Sequence, residues 1–76
     1  MSLKRFVEER NEALVSLDRQ KIEKYARKYG IDMPENDEVF WLAVHKSIAN
    51  ITTLPEDVKQ RSVMWLLEHG STPVIR

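Results

Sequence analysis

The residues of this sequence best suited to acid–base or nucleophilic chemistry are its two histidines, His45 and His69. An imidazole does such work only beside a base, a metal ligand or a nucleophile. On a helix, Ser47 lies two positions from His45 and faces away from it. Glu38 lies seven positions back, about 10 Å along the axis at the helical rise, too far for a direct pair. The same spacing separates Ser62 from His69, so no Ser–His dyad forms within that helix. His45 therefore reads as a packing or surface histidine whose ring can touch Trp41, four positions earlier. His69, beside Gly70, reads as a helix-terminal histidine that interacts with the last carbonyls.

Asp32, Glu35, Asp37 and Glu38 form an acidic cluster without the spacing or central glycine of a calcium loop. Capping of a helix N-terminus explains them better. With no cysteine and two distant histidines, neither a disulfide nor a structural zinc site is expected. No cofactor, no metal and no catalytic residue are expected. A last set, Arg19, Lys21, Lys24, Arg27 and Lys28, could follow a phosphate backbone. Glu23 and a net charge of zero dilute that field, and a solvated polar face is the competing reading.

These side chains need elements to carry them, and the periodicity is helical throughout. Leu3, Phe6, Val7, Ala13, Leu14 and Leu17 recur at three- and four-residue spacing, with Ser2 as the N-cap of a helix over 3–15. Asp18 caps a second helix over 19–29, with Leu17 and Ile22 placed for a hydrophobic staple and Gly30 as its stop. Residues 31–35 form an extended connector in which Ile31 and Met33 act as pins, because the residue before Pro34 is pushed towards extended backbone. Asn36 caps a third helix over 37–50. Its run Val39–Val44 is apolar on every side, so it must be surrounded. Thr53 and Glu56 match a capping box for a fourth helix over 54–69, with Pro55 in its first turn and Gly70 after its end. Residues 70–76 are a tail in which Val74 and Ile75 could dock.

The expected fold is a single all-α domain, 1–76, of about four helices in irregular or orthogonal packing. A chain of 76 residues has a thin stability margin and, without disulfides, depends on tight packing or a partner. Charge is unevenly spread: net +3 over residues 1–30, −5 over 31–57 and +2 over 58–76. A total of zero disfavours a dedicated nucleic-acid or membrane binder. No apolar run is long enough to span a bilayer, and Glu8, Glu9 and Arg10 interrupt any leader-like segment. A cytoplasmic protein is expected.

Val39-Phe40-Trp41, Val44-His45-Lys46, Leu54-Pro55-Glu56 and Trp65-Leu66-Leu67-Glu68-His69-Gly70 together resemble small uncharacterised proteins encoded in phages and prophages of Gram-positive bacteria. Phe6 to Leu14 and the segment from Lys24-Tyr25 to Met33-Pro34 fit the same pattern, so the resemblance covers nearly the whole chain. The resemblance implies a genomic setting and the cytoplasm of a bacterial host, and brings no activity, cofactor or site residue.

The stripes leave apolar surface over. With Phe40, Val44, Ile48 and Ile51 facing a core, Leu42 falls on the line of Glu38 and Lys46. On the fourth helix Val58, Ser62, Trp65, Leu66 and His69 point inwards, which turns Val63, Met64 and Leu67 elsewhere. Leu42, Val63, Met64 and Leu67 form the candidate partner patch. Two functions follow as expectations: a non-catalytic protein–protein interaction module that binds another protein or itself as a homodimer, or a DNA-associated accessory protein using the basic face of the second helix.

Overall fold

A computed structural model describes residues 3–72. Among them every regular element is an α-helix: α1 (Leu3–Ser16), α2 (Arg19–Lys28), α3 (Asp37–Ala49) and α4 (Glu56–Glu68). The all-α expectation holds, with each helix within one or two residues of its predicted span. Ser2 as a cap and the docking of Val74 and Ile75 lie outside the described residues. The chain divides after Met33 into two compact units. In the first α1 packs on α2, and in the second α3 packs on α4. The break falls in the connector before Pro34.

In the first unit, Ala13, Leu14, Ile22 and Ala26 are buried, and Phe6, Tyr25 and Tyr29 form a cluster of rings. Phe6 meets Tyr29 edge-on at 4.8 Å between centroids, a preferred aromatic geometry. The turn from α1 to α2 departs from expectation. Leu17 adopts a left-handed φ of 53° and is 49% exposed, while Ile22 is fully buried. The chain reverses there without a glycine, and polar groups hold it instead. The Ser16 hydroxyl donates to the Ala13 carbonyl at 2.6 Å and accepts from the Asp18 N–H at 3.2 Å. Asp18 in turn accepts from the Gln20 N–H at 2.9 Å, as an N-cap should. α2 stops as its glycine predicts. Gly30, at φ 66°, lets its own N–H reach the Arg27 carbonyl and the Ile31 N–H reach Ala26. Ile31 is 38% exposed and so is a poor pin, whereas Met33 is half-buried.

In the second unit, Asn36 caps α3 through the Val39 N–H, and Asp37 and Glu38 sit in the positive first turn. Phe40, Val44, Ile48 and Ile51 are buried, as their spacing requires. The expectation that α3 is enclosed on all sides is not met: Val39 is 48% exposed, and Leu42 and Ala43 are half-buried. The capping box of α4 also fails. Pro55 is itself the N-cap and no side chain caps the helix. The physical reason lies in the proline: it drives Leu54 out of helical backbone, so α4 cannot begin before it and Thr53 is stranded in the turn. At the other end Gly70, at φ 69°, repeats the closure of α2, with N–H bonds from Gly70 to Leu67 and from Ser71 to Leu66.

Candidate functional site

The second unit brings together side chains that the linear sequence keeps apart. His45, on the inner side of α3, is 7% exposed, and its Nδ1 lies 3.0 Å from the hydroxyl of Ser62 on α4, itself 3% exposed. A serine in mid-helix usually turns its hydroxyl to water or to a carbonyl of its own helix. Here the inward stripe of α4 carries Ser62 into the interface, where a buried hydroxyl needs a partner and His45 supplies it. The pair shares one proton in one of two ways: Nδ1–H donates to Oγ, or the hydroxyl donates to a bare Nδ1.

The same ring is part of a column. Trp41 lies 6.3 Å from His45, His45 stacks on Trp65 at 4.2 Å and 17°, and Trp65 stacks on His69 at 3.8 Å and 15°. Every histidine and tryptophan of the chain is in this one stack. His69 is exposed and its Nδ1 is 2.7 Å from the Trp65 carbonyl. A carbonyl only accepts, so Nδ1 carries the hydrogen, and His69 takes the helix-terminal place expected of it. Burial, and after it the charge of His69, holds the His45 imidazole below its usual range.

A hydrogen-bonded serine and histidine invite comparison with a hydrolase dyad. That chemistry needs a serine open to substrate, a group that orients the base, and donors for an oxyanion. Ser62 is closed off inside the α3–α4 interface, at 3% exposure. The geometry is that of a packing hydrogen bond. Among the described residues no group of three or more His, Asp or Glu could hold a metal ion. Asp32, Glu35, Asp37 and Glu38 are all exposed, two of them at the α3 N-terminus.

The four patch residues have unequal surroundings. Met64 and Leu67 are 55% and 57% exposed, Val63 is half-buried beside them on α4, and Leu42 is half-buried on α3. Helical spacing makes Val63, Met64 and Leu67 one ridge, since positions three and four apart are neighbours.

The basic residues of α2 belong to the first unit, and carboxylates interleave with them. Arg19 pairs with Glu23 at 2.8 Å. Lys28 places Nζ 2.9 Å from both oxygens of Glu9, which also accepts from the Tyr29 hydroxyl at 2.8 Å and from Arg5 at 3.3 Å. These hydrogen bonds hold the Glu9 carboxyl below its usual range and raise Lys28 and Tyr29. Lys21, Lys24 and Lys28 line a cleft of about 310 Å³ with Glu9, Glu12, Ala13 and Tyr25. A strand of phosphates along that cleft would meet two glutamates. Arg27 is exposed outside it.

No known protein family, curated protein or solved structure matches the chain.

The Ser62 partner of His45 is what sequence reasoning missed. Both residues carried a signal: Ser62 sits on the inward stripe of α4, and a serine there needs a buried partner. Which one depends on how α4 is set against α3, and residue spacing along either helix does not encode that.

Proposed function

We propose that this chain is a non-catalytic protein–protein interaction module, of phage or prophage origin and acting in the bacterial cytoplasm, that docks through the α4 ridge of Val63, Met64 and Leu67. The observation that carries this reading is the contrast along one helix. α4 buries Ser62 and Leu66 almost completely, while Met64 and Leu67 keep more than half of their surface in water. Covering what remains of those two side chains is worth about 1.5–3 kcal/mol, taking about half of the full burial value of each. That makes a hot spot at the centre of an interface, not a whole one. The origin and the compartment rest on the resemblance of the sequence alone.

Self-association is the simplest occupant, since a homodimer presents the same ridge twice. Sedimentation velocity over a wide concentration range tests it. The expected result is a concentration-dependent dimer that Leu67→Glu abolishes while the helical circular dichroism is unchanged. A monomer at every concentration removes self-association, and a dimer indifferent to Leu67→Glu and Met64→Glu removes the ridge. The nucleic-acid reading has less support, because Lys28 and Arg19 are engaged by Glu9 and Glu23 and the cleft beside them carries both signs of charge.

A further inference from the structure

The column Trp41–His45–Trp65–His69 spans the α3–α4 interface and carries a titratable ring at two of its four levels. A proton on His69 is solvated, since that ring is exposed, and it sits at the negative end of α4. A proton on His45 is not solvated. The residue is 7% exposed, and among the described residues the groups that hydrogen-bond to it, stack on it or act on its charge are Trp41, Ser62, Trp65 and, beyond Trp65, His69. None of these is a carboxylate that could balance the charge. Two tendencies oppose each other. The face of Trp65 attracts a cation. Loss of water costs more when nothing pairs the charge, and a proton on His69 adds repulsion across one indole.

We propose that this column is a proton-sensitive clasp: neutral His45 locks α3 to α4 through Ser62 and Trp65, and a proton forced onto it loosens the helical hairpin. Unfolded chain binds an imidazole proton near pH 6.5, at about the ordinary value, whereas the folded chain binds it only at lower pH. The stability that neutral His45 confers is thus complete above about pH 6.5. It is lost as the pH falls from there to the folded value, and changes no further below it.

Two measurements on the full chain decide the matter. The first follows the Cε1–H resonance of His45 through an acid titration, in wild type and in His69→Gln. The midpoint is expected below the usual imidazole range and higher in His69→Gln than in wild type, because the repelling charge is gone. The second follows hydrogen exchange of the α3 and α4 amides. Protection against global opening is expected to fall by up to tenfold per pH unit within that window, relative to His45→Gln, whose amide can still bond Ser62 but does not titrate. If His45→Gln does not fold, the His69→Gln shift carries the test alone. A wild-type His45 midpoint at or above the ordinary value overturns the clasp. So does a midpoint unmoved by His69→Gln, or protection that falls equally in wild type and His45→Gln.

Discussion

Ser62→Ala probes the contact that joins α3 to α4. Alanine removes the hydroxyl from a site only 3% exposed and leaves His45 Nδ1, on a ring only 7% exposed, without its partner at 3.0 Å. An orphaned buried polar atom costs about 1–3 kcal/mol. Alanine is the better helix former in mid-α4, which returns about 0.5 kcal/mol. The net expected loss is about 0.5–2.5 kcal/mol, readable as a lower midpoint in urea denaturation followed by far-ultraviolet circular dichroism. Tryptophan fluorescence reports the same transition from within the column. The discriminating comparison is Ser62→Ala in a His45→Leu background. With no imidazole nitrogen to orphan, the substitution should there be neutral or slightly stabilising, so the two sites couple by about 1–3 kcal/mol. Ser62→Ala within a few tenths of wild type would refute the hydrogen bond as a stabilising contact. An equal loss in both backgrounds would show that the hydroxyl matters for some reason other than His45.

Other outcomes follow from single features. Leu17 holds a left-handed backbone that costs a branched side chain about 1–2 kcal/mol. Leu17→Asn should therefore raise the unfolding free energy by up to about 1 kcal/mol, seen as a higher denaturation midpoint, and Leu17→Val should lower it. Phe40 is fully buried in α3, and Phe40→Ala should cost about 3–5 kcal/mol, readable as a much lower midpoint in thermal melts. Glu9 should titrate below the usual carboxylate range by carbon-detected nuclear magnetic resonance and return towards it in Lys28→Gln, since Lys28 is the first cause of the depression. What that ion pair contributes is present above the ordinary carboxylate value and lost as the pH falls through the depressed one.

What could be read from the residues in order divides by how local its cause is. The stops of α2 and α4 were legible because a glycine at C′ acts on bonds within five residues of itself, at Gly30 and at Gly70. The core stripe of Phe40, Val44 and Ile48 was legible for the same reason, as one turn predicts the next. Thr53 misled because two local signals competed, and the steric demand of Pro55 on Leu54 outweighs a capping hydrogen bond worth about 1 kcal/mol. Leu17 carried no signal at all. Nothing about a leucine announces a left-handed residue, and only the reversal between α1 and α2 imposes it.

His45 and Ser62 lie beyond that limit, and their case also shows what a polar pair does for a small core. Each side chain alone would be a defect in an apolar interface, since a buried hydroxyl or imidazole without a partner costs stability. Together they cancel, but only when α4 is set so that Ser62 meets His45. Sliding α4 by one turn along α3 would substitute Val58 or Leu66 for Ser62 and orphan both polar groups. Apolar contacts such as Val44 or Leu66 tolerate such shifts, because they are not directional. The buried pair does not, and so it supplies register to an interface whose hydrophobic surface alone would leave it loosely specified. The stacked rings of Trp65 and His69 then extend that register outwards to the surface, which is why a substitution at exposed His69 is expected to be felt at buried His45.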